Sequence, residues 1–213
     1  MSATSEHRGR RGPPPAQHNL QTATDLAVRK LRAQSPEQIA RLGAEPAGDG
    51  CRLRVLDDTL EVCRDTGSVR TSAGRDVRPQ WRILVLHYLT CGADPQPAPP
   101  ALTFADLPDA RAYARVYHGR VVERLCATAG RNAETLRAAA ATLGARPADG
   151  GDLAFDIDVF PRLSVRLIWY AGDDELPPSA TVLLPSNIRS MLCLEDIVVL
   201  SERVVSRLSG LPF

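Results

Sequence analysis

The order of apolar and polar positions divides the chain into helical and extended stretches. From Arg78 to Cys91, the run of Trp81, Ile83, Leu84, Val85, Leu86, Tyr88 and Leu89 leaves little polar face, which predicts a central apolar helix over 78–91. Gly92 ends it, and the proline-rich stretch from Asp94 to Pro100 reads as a loop. Asp106, Pro108 and Asp109 then open one long helix, with Ala110, Ala114, Tyr117, Val121 and Leu125 as a stripe at i+3/i+4 spacing that stops before Gly130. Asn132 caps another helix through Leu136, Ala140 and Leu143, closed by Gly144. The last helix, about Leu194 to Ser209, buries Ile197, Leu200, Val204 and Leu208. Glu195 and Asp196 in its first turn and Arg203 and Arg207 in its last complement the helix dipole. Nearer the start, a helix is predicted from Thr22–Asp25, with Leu26 and Lys30 or Leu31 on one face. It continues or restarts at Ser35, an N-cap with Pro36 at the first helical position and Gln38 three residues on.

Alternation with period two marks the strands. Cys51, Leu53 and Val55 share one face, and a two-residue turn at Asp57-Asp58 would set Val55 opposite Leu60 and Leu53 opposite Val62. That register puts Cys51 and Cys63 on opposite faces, where no disulfide between them can close. A short strand near Val69 follows the Asp65-Thr66-Gly67 turn. The clearest strand pair is Leu153–Val159 with Leu163–Tyr170. A three-residue loop at Pro161–Leu163 would pair Val159 with Val165, Ile157 with Leu167 and Phe155 with Trp169, and set Asp158 opposite Arg166. A further strand lies near Thr181–Leu184. Two hairpins with no repeated strand–helix–strand unit read as α+β: short antiparallel strands packed on a bundle of helices. The aliphatic side of the 153–169 hairpin is expected to cover the helix that bears His87.

Composition narrows this picture. The chain has 213 residues, 44% hydrophobic and 24% charged, enough for one domain with a true core. Residues 1–17 are polar and Pro/Arg-rich, so a disordered tail is expected ahead of a single compact domain over 18–213. The tail has no apolar core of a secretory signal, and no run approaches a membrane span, so the cytoplasm is the expected compartment. Formal net charge is +1 with 5% aromatic residues, which gives no expectation of nucleic-acid or membrane binding. Five cysteines, odd in number and without CxxC spacing, fit neither a disulfide framework nor a zinc knuckle.

Two constellations carry potential chemistry. His87 and Cys91 are four apart on the central helix, so imidazole and thiolate could share a metal, or His87 could ligate a tetrapyrrole metal axially. A core histidine beside a small buried cysteine is the alternative. Trp169-Tyr170-Ala171-Gly172-Asp173-Asp174-Glu175 ends the long hairpin with three adjacent carboxylates, which could bind a hard cation or supply an acid and a base, or simply solvate a turn. His118, with Val122 and Cys126 along a second lane of its helix, could complete a site with His87. No nucleotide-binding, nucleophile-elbow or zinc-protease motif is present.

The stretches Leu86-His87-Tyr88-Leu89, Phe104-Ala105-Asp106-Leu107-Pro108, Phe160-Pro161-Arg162-Leu163, Trp169 to Pro177 and Leu194-Glu195-Asp196, in that order and spacing, resemble the family of domain of unknown function 3786 over about residues 20–209. Some members of that family carry a four-cysteine iron–sulfur module of the kind found in corrinoid proteins. The resemblance therefore implies a redox or corrinoid-linked accessory role. This chain has no cysteine in its first 17 residues, has Leu176 where an aromatic is usual, and lacks the usual acidic residue around Leu184-Pro185-Ser186. These departures weigh against electron transfer. The expectation is a non-enzymatic cofactor- or metal-binding module, with His87, Trp169, Asp173, Asp174 and Glu175 around the cofactor and His87 with Cys91 on a metal. The alternatives are a metal-assisted hydrolase or transferase using Asp173–Glu175 with His118 or His87, and a structural protein that binds a protein partner.

Overall fold

Helices and strands keep to separate stretches of the chain, giving an α+β fold of two antiparallel sheets with helices packed against them. The computed structural model describes residues 15–92 and 95–213. Most of the expected disordered tail, and Asp94 at the start of the expected proline-rich loop, lie outside them.

The first helix, α1 (Pro15–Ala33), starts earlier than its apolar pattern suggested. Its buried lane is Thr24, Ala27, Val28 and Leu31, while Leu26 is 46% exposed. The i, i+3, i+4, i+7 spacing therefore runs one residue out of phase with the expected face. Ser35 does cap α2 (Pro36–Arg41), its hydroxyl accepting the Gln38 amide. The first sheet follows, β1 (Glu45–Ala47), β2 (Gly50–Val55), β3 (Asp58–Cys63) and β4 (Val69–Arg70), in that spatial order. Its register differs from expectation by two residues: Leu53 faces Leu60 and Cys51 faces Val62. The turn is Leu56-Asp57, with Leu56 at φ 50°. Leu56 accepts the left-handed strain because its side chain is buried and its amide donates to the Val159 carbonyl of the second sheet. A shift of two leaves every side chain on its expected face, and both cysteines are free thiols.

α3 (Pro79–Leu89) is the central apolar helix, with Trp81, Ile83, Leu84, Val85, Leu86, Tyr88 and Leu89 all buried. Gly67, at φ +60°, turns the chain against it; an added Cβ would collide with Val28 of α1. Tyr88 fastens α3 to two neighbours. Its hydroxyl donates to the Leu42 carbonyl at 2.7 Å and accepts the Arg162 amide at 3.2 Å, and its ring stacks on Phe160 at 4.3 Å.

β5 (Pro100–Leu102) precedes the expected long helix, which the structure breaks into pieces. A 3-10 turn at Arg111–Tyr113 leads into α4 (Ala114–Tyr117), a π turn at His118–Glu123 and α5 (Arg124–Ala127). The π turn absorbs one extra residue, so Ala114 leaves the stripe half-exposed while Tyr117, Val121 and Leu125 keep it. α6 (Ala133–Thr142) is capped by Asn132 as expected, its side chain accepting the Thr135 amide. β6 (Arg146–Pro147), β7 (Leu153–Phe160), β8 (Leu163–Tyr170) and β9 (Ser179–Pro185) complete the second sheet, ordered β5-β9-β8-β7-β6.

In the β7–β8 hairpin Leu153 faces Trp169, Phe155 faces Leu167 and Ile157 faces Val165. The loop is Pro161-Arg162 and the register slips between Asp158 and Phe160. A two-residue loop without that bulge would have mixed the faces; the bulge adds the residue that restores them. Asp156, rather than Asp158, meets Arg166, and Asp158 instead pairs with Arg146 of β6.

After α7 (Ile188–Met191) comes α8 (Leu194–Leu208). Ile157, Val165, Leu167 and Val182 of the sheet face Val204, Val205 and Leu208 of α8. The aliphatic side of the hairpin thus covers α8 directly and reaches α3 at Phe160, which corrects the expectation that it lies on the His87 helix. No helix is long and apolar enough to cross a membrane among the described residues.

Candidate functional site

Two histidines stand out, and the fold treats them differently. His87, at the end of α3, points its Nδ1 at the carboxylate of Asp196, 2.9 Å from each oxygen. Asp196 is the third residue of α8 and closes a capping box with Cys193: the carboxylate accepts the Cys193 amide at 3.4 Å and its thiol at 3.1 Å, while Cys193 Sγ accepts the Asp196 amide at 3.4 Å. Burial works to raise the Asp196 carboxyl, but hydrogen bonding and charge from His87, with the Cys193 thiol and amide, bring it below its ordinary value. Burial raises the Cys193 thiol. Cys91 does not reach into this pair; its thiol donates to the Ser190 carbonyl at 3.4 Å. The arrangement joins the C-terminus of α3 to the N-terminus of α8, and it leaves Nε2 of a side chain that is 30% exposed.

His118 opens the π turn. On one side this segment is tied to α8: Tyr117 donates to Ser201 at 3.1 Å, and Arg120 grips Glu202 with two bonds of 2.6 and 2.8 Å. On the other side the lane His118, Val122 and Cys126 walls a cleft of about 820 Å³. Tyr170, Leu176, Pro177 and Pro178, from the connection between β8 and β9, form the facing apolar wall, with Asp173 and Glu123 as its acidic members. The imidazole stands 4.0 Å from Glu123, with both side chains more than half exposed. Burial pushes the Cys126 thiol above its ordinary value. His118 and Val122 also line a neighbouring cavity of about 340 Å³ with Phe104 and Tyr117.

The residues expected around one cofactor separate accordingly. The cleft that Asp173 lines takes its imidazole from His118, not from His87. Trp169 is buried and its indole donates to the Gly130 carbonyl at 2.6 Å, so it anchors the hairpin to the start of α6's approach segment. Asp173 brackets its own turn, Oδ1 accepting the amides of Glu175 at 2.9 Å and Leu176 at 2.8 Å, which holds its carboxyl below the ordinary value. Asp173, Asp174 and Glu175 are all exposed. An acid–base pair needs one carboxylate desolvated, and this turn supplies none.

Sequence reasoning found the His118, Val122, Cys126 lane but not the cleft. The signal it held was the apolar Leu176-Pro177-Pro178 after the acidic run, a hydrophobic wall placed where a solvated turn would not need one. The Asp196 partner of His87 lies 109 residues away and left no local signal.

The donor set limits what either place can hold. Among the described residues no group of three or more His, Cys, Asp or Glu side chains is placed to hold a metal ion. A bare ion or an iron–sulfur cluster thus finds no ligand set of that size among those residues. No curated protein and no solved structure matched the chain. A family profile described as a domain of unknown function, DUF3786, matches residues 35–207, and the chain belongs to that family.

Proposed function

We infer that the protein is a non-enzymatic binding module whose cleft at the π turn takes a largely apolar, tetrapyrrole-type cofactor, with His118 as the axial donor. The observation that carries this reading is the cleft itself: about 820 Å³, walled by Val122, Tyr170, Leu176 and two prolines, with one imidazole on its rim. Ligand sites run roughly 300–1,000 Å³ and combine apolar walls with a few polar groups, which matches this composition. π turns recur at functional positions, and His118 is the first residue of this one. The absence of a three-ligand group among the described residues favours a cofactor that brings its own equatorial ligands.

A second reading rests on Asp196. A histidine that gives Nδ1–H to a carboxylate holds Nε2 ready as a ligand, and ligating histidines are commonly arranged so. His87 then serves as the axial donor at the junction of α3 and α8.

Titration of haem or a corrinoid into the purified protein, followed by the shift of the visible band, separates the two. Under the leading reading His118→Ala abolishes the shift and His87→Ala retains it; the reverse supports the second. No spectral change with the wild type removes both.

A further inference from the structure

The second sheet has a place for an edge strand that is only half filled. β5 lies against the outer edge of β9 at one end alone, where Leu102 faces Leu184 and Pro100 faces Pro185. Past Leu102 the chain turns away: Asp106 accepts the Thr103 amide at 2.9 Å and its hydroxyl at 2.6 Å, which winds the 3-10 turn at Phe104–Asp106. β8 covers the inner edge of β9 from Ser179 to Leu183, but among the described residues no backbone hydrogen bond reaches the outer edge from Ser179 to Val182. In an antiparallel ladder alternate residues turn their N–H and C=O outward, so this stretch offers donors and acceptors to a further strand. Exposed edges are commonly guarded by charge, proline or a bulge. Ser179 to Leu184 carries no charge and no proline, and its ladder with β8 runs without a slip.

The free edge opens onto the cavity of about 340 Å³ beside the cleft. Ala180, Thr181 and Val182 all line it. Side chains of a strand alternate between faces, so three consecutive residues share one hollow along the strand's edge. Ala114, Tyr117, His118 and Val122 form the opposite bank, and the ring of Phe104, stacked on Tyr117 at 4.3 Å, adds to its apolar surface. We propose that this edge docks an extended, uncharged segment of a partner protein, which adds to β9 as a strand in line with β5 and sets one apolar side chain against Phe104 and Tyr117. A strand is the occupant that matches, because an extended backbone meets a row of alternating donors and acceptors along its length. No carboxylate, lysine or arginine lines the cavity, so a charged segment would lose its hydration there without an ion-pair partner. A cavity of this size between two banks admits a single chain rather than the edge of another sheet, which argues against pairing of two copies through β9. The site shares His118 and Val122 with the cofactor cleft but does not depend on what that cleft holds.

Selection of random peptides against the full chain, followed by fluorescence polarisation with the selected sequences, tests the site. These peptides are expected to share a run of uncharged residues with apolar side chains at alternate positions, and their binding should slow hydrogen exchange within Ser179–Leu183. N-methylation of alternate peptide residues removes backbone donors and keeps the side chains. In one of its two registers it should weaken binding by at least about tenfold. Ala114→Phe, which fills the cavity from the opposite bank, should weaken binding by at least about tenfold with circular dichroism unchanged. If that variant fails to fold, Thr181→Lys, a charge placed on the edge itself, supplies the comparison. The proposal is overturned if no selected peptide binds, if both N-methylated registers bind as well as the parent, or if exchange slows elsewhere in the chain and not in β9. Dimerisation of the chain alone in sedimentation, with the same slowing in β9, assigns the edge to a second copy and also overturns it.

Discussion

The ends of α3 and of α4 each present a histidine, and the two are held in opposite ways. His87 is engaged: a buried carboxylate holds its Nδ1, the carboxylate also closes the capping box of α8, and two helix termini meet there. His118 is unengaged: its nearest carboxylate is 4.0 Å away, both side chains are largely exposed, and an apolar cleft opens beside it. Side chains bound into the frame at helix ends contribute to stability, whereas a polar group left free on an apolar wall is available to a ligand. The two regions should therefore respond in opposite ways to substitution.

The largest effect belongs to the engaged region. Asp196→Ala leaves His87 and the Cys193 amide without their acceptor and should lower unfolding free energy by about 3 kcal/mol in urea titration at neutral pH. A loss no larger than that of an exposed Asp→Ala control would break the contrast at once.

Acid sharpens the same comparison. The Asp196 carboxyl sits below its ordinary value of 3.8 in the folded state, so its contribution is fully present above that value and is lost as pH falls through the lower, folded one. Wild-type stability should fall more steeply than that of Asp196→Asn as pH drops below the ordinary carboxylate range. Parallel curves would show that the contact contributes nothing.

The unengaged region should be mute in stability and loud in binding. His118→Ala is expected to change unfolding free energy by no more than about 0.5 kcal/mol, because the side chain is mostly in water, while removing the cofactor-induced band. Leu176→Ser, at the most exposed large apolar side chain of the cleft, should weaken cofactor binding by roughly 1 kcal/mol and leave the thermal midpoint in place. Unchanged binding there would show that the wall is not in contact with the ligand.

What was readable in the sequence followed what is local. The caps at Ser35 and Asn132 and the apolar girdle of α3 depend on residues a few positions apart, and the structure has them as expected. Both hairpins kept their faces but not their registers, since period-two alternation is blind to a shift of two and to a bulge that adds one residue. The buried Leu56 turn, the π turn and the Asp196 contact depend on neighbours from distant parts of the chain. The candidate site was read in halves for the same reason. The acidic turn and the His118 lane were each visible, yet only the packing of the β8–β9 connection against α5 brings Asp173 to His118 rather than to His87.

The most direct test observes both imidazoles at once. With four histidines in the chain, the side-chain nitrogen spectrum of the labelled protein can be assigned by single His→Ala variants and recorded with and without the tetrapyrrole. The His118 resonances should move or broaden on binding while those of His87, held on Asp196, stay in place. Movement of the His87 resonances with His118 unchanged would contradict it.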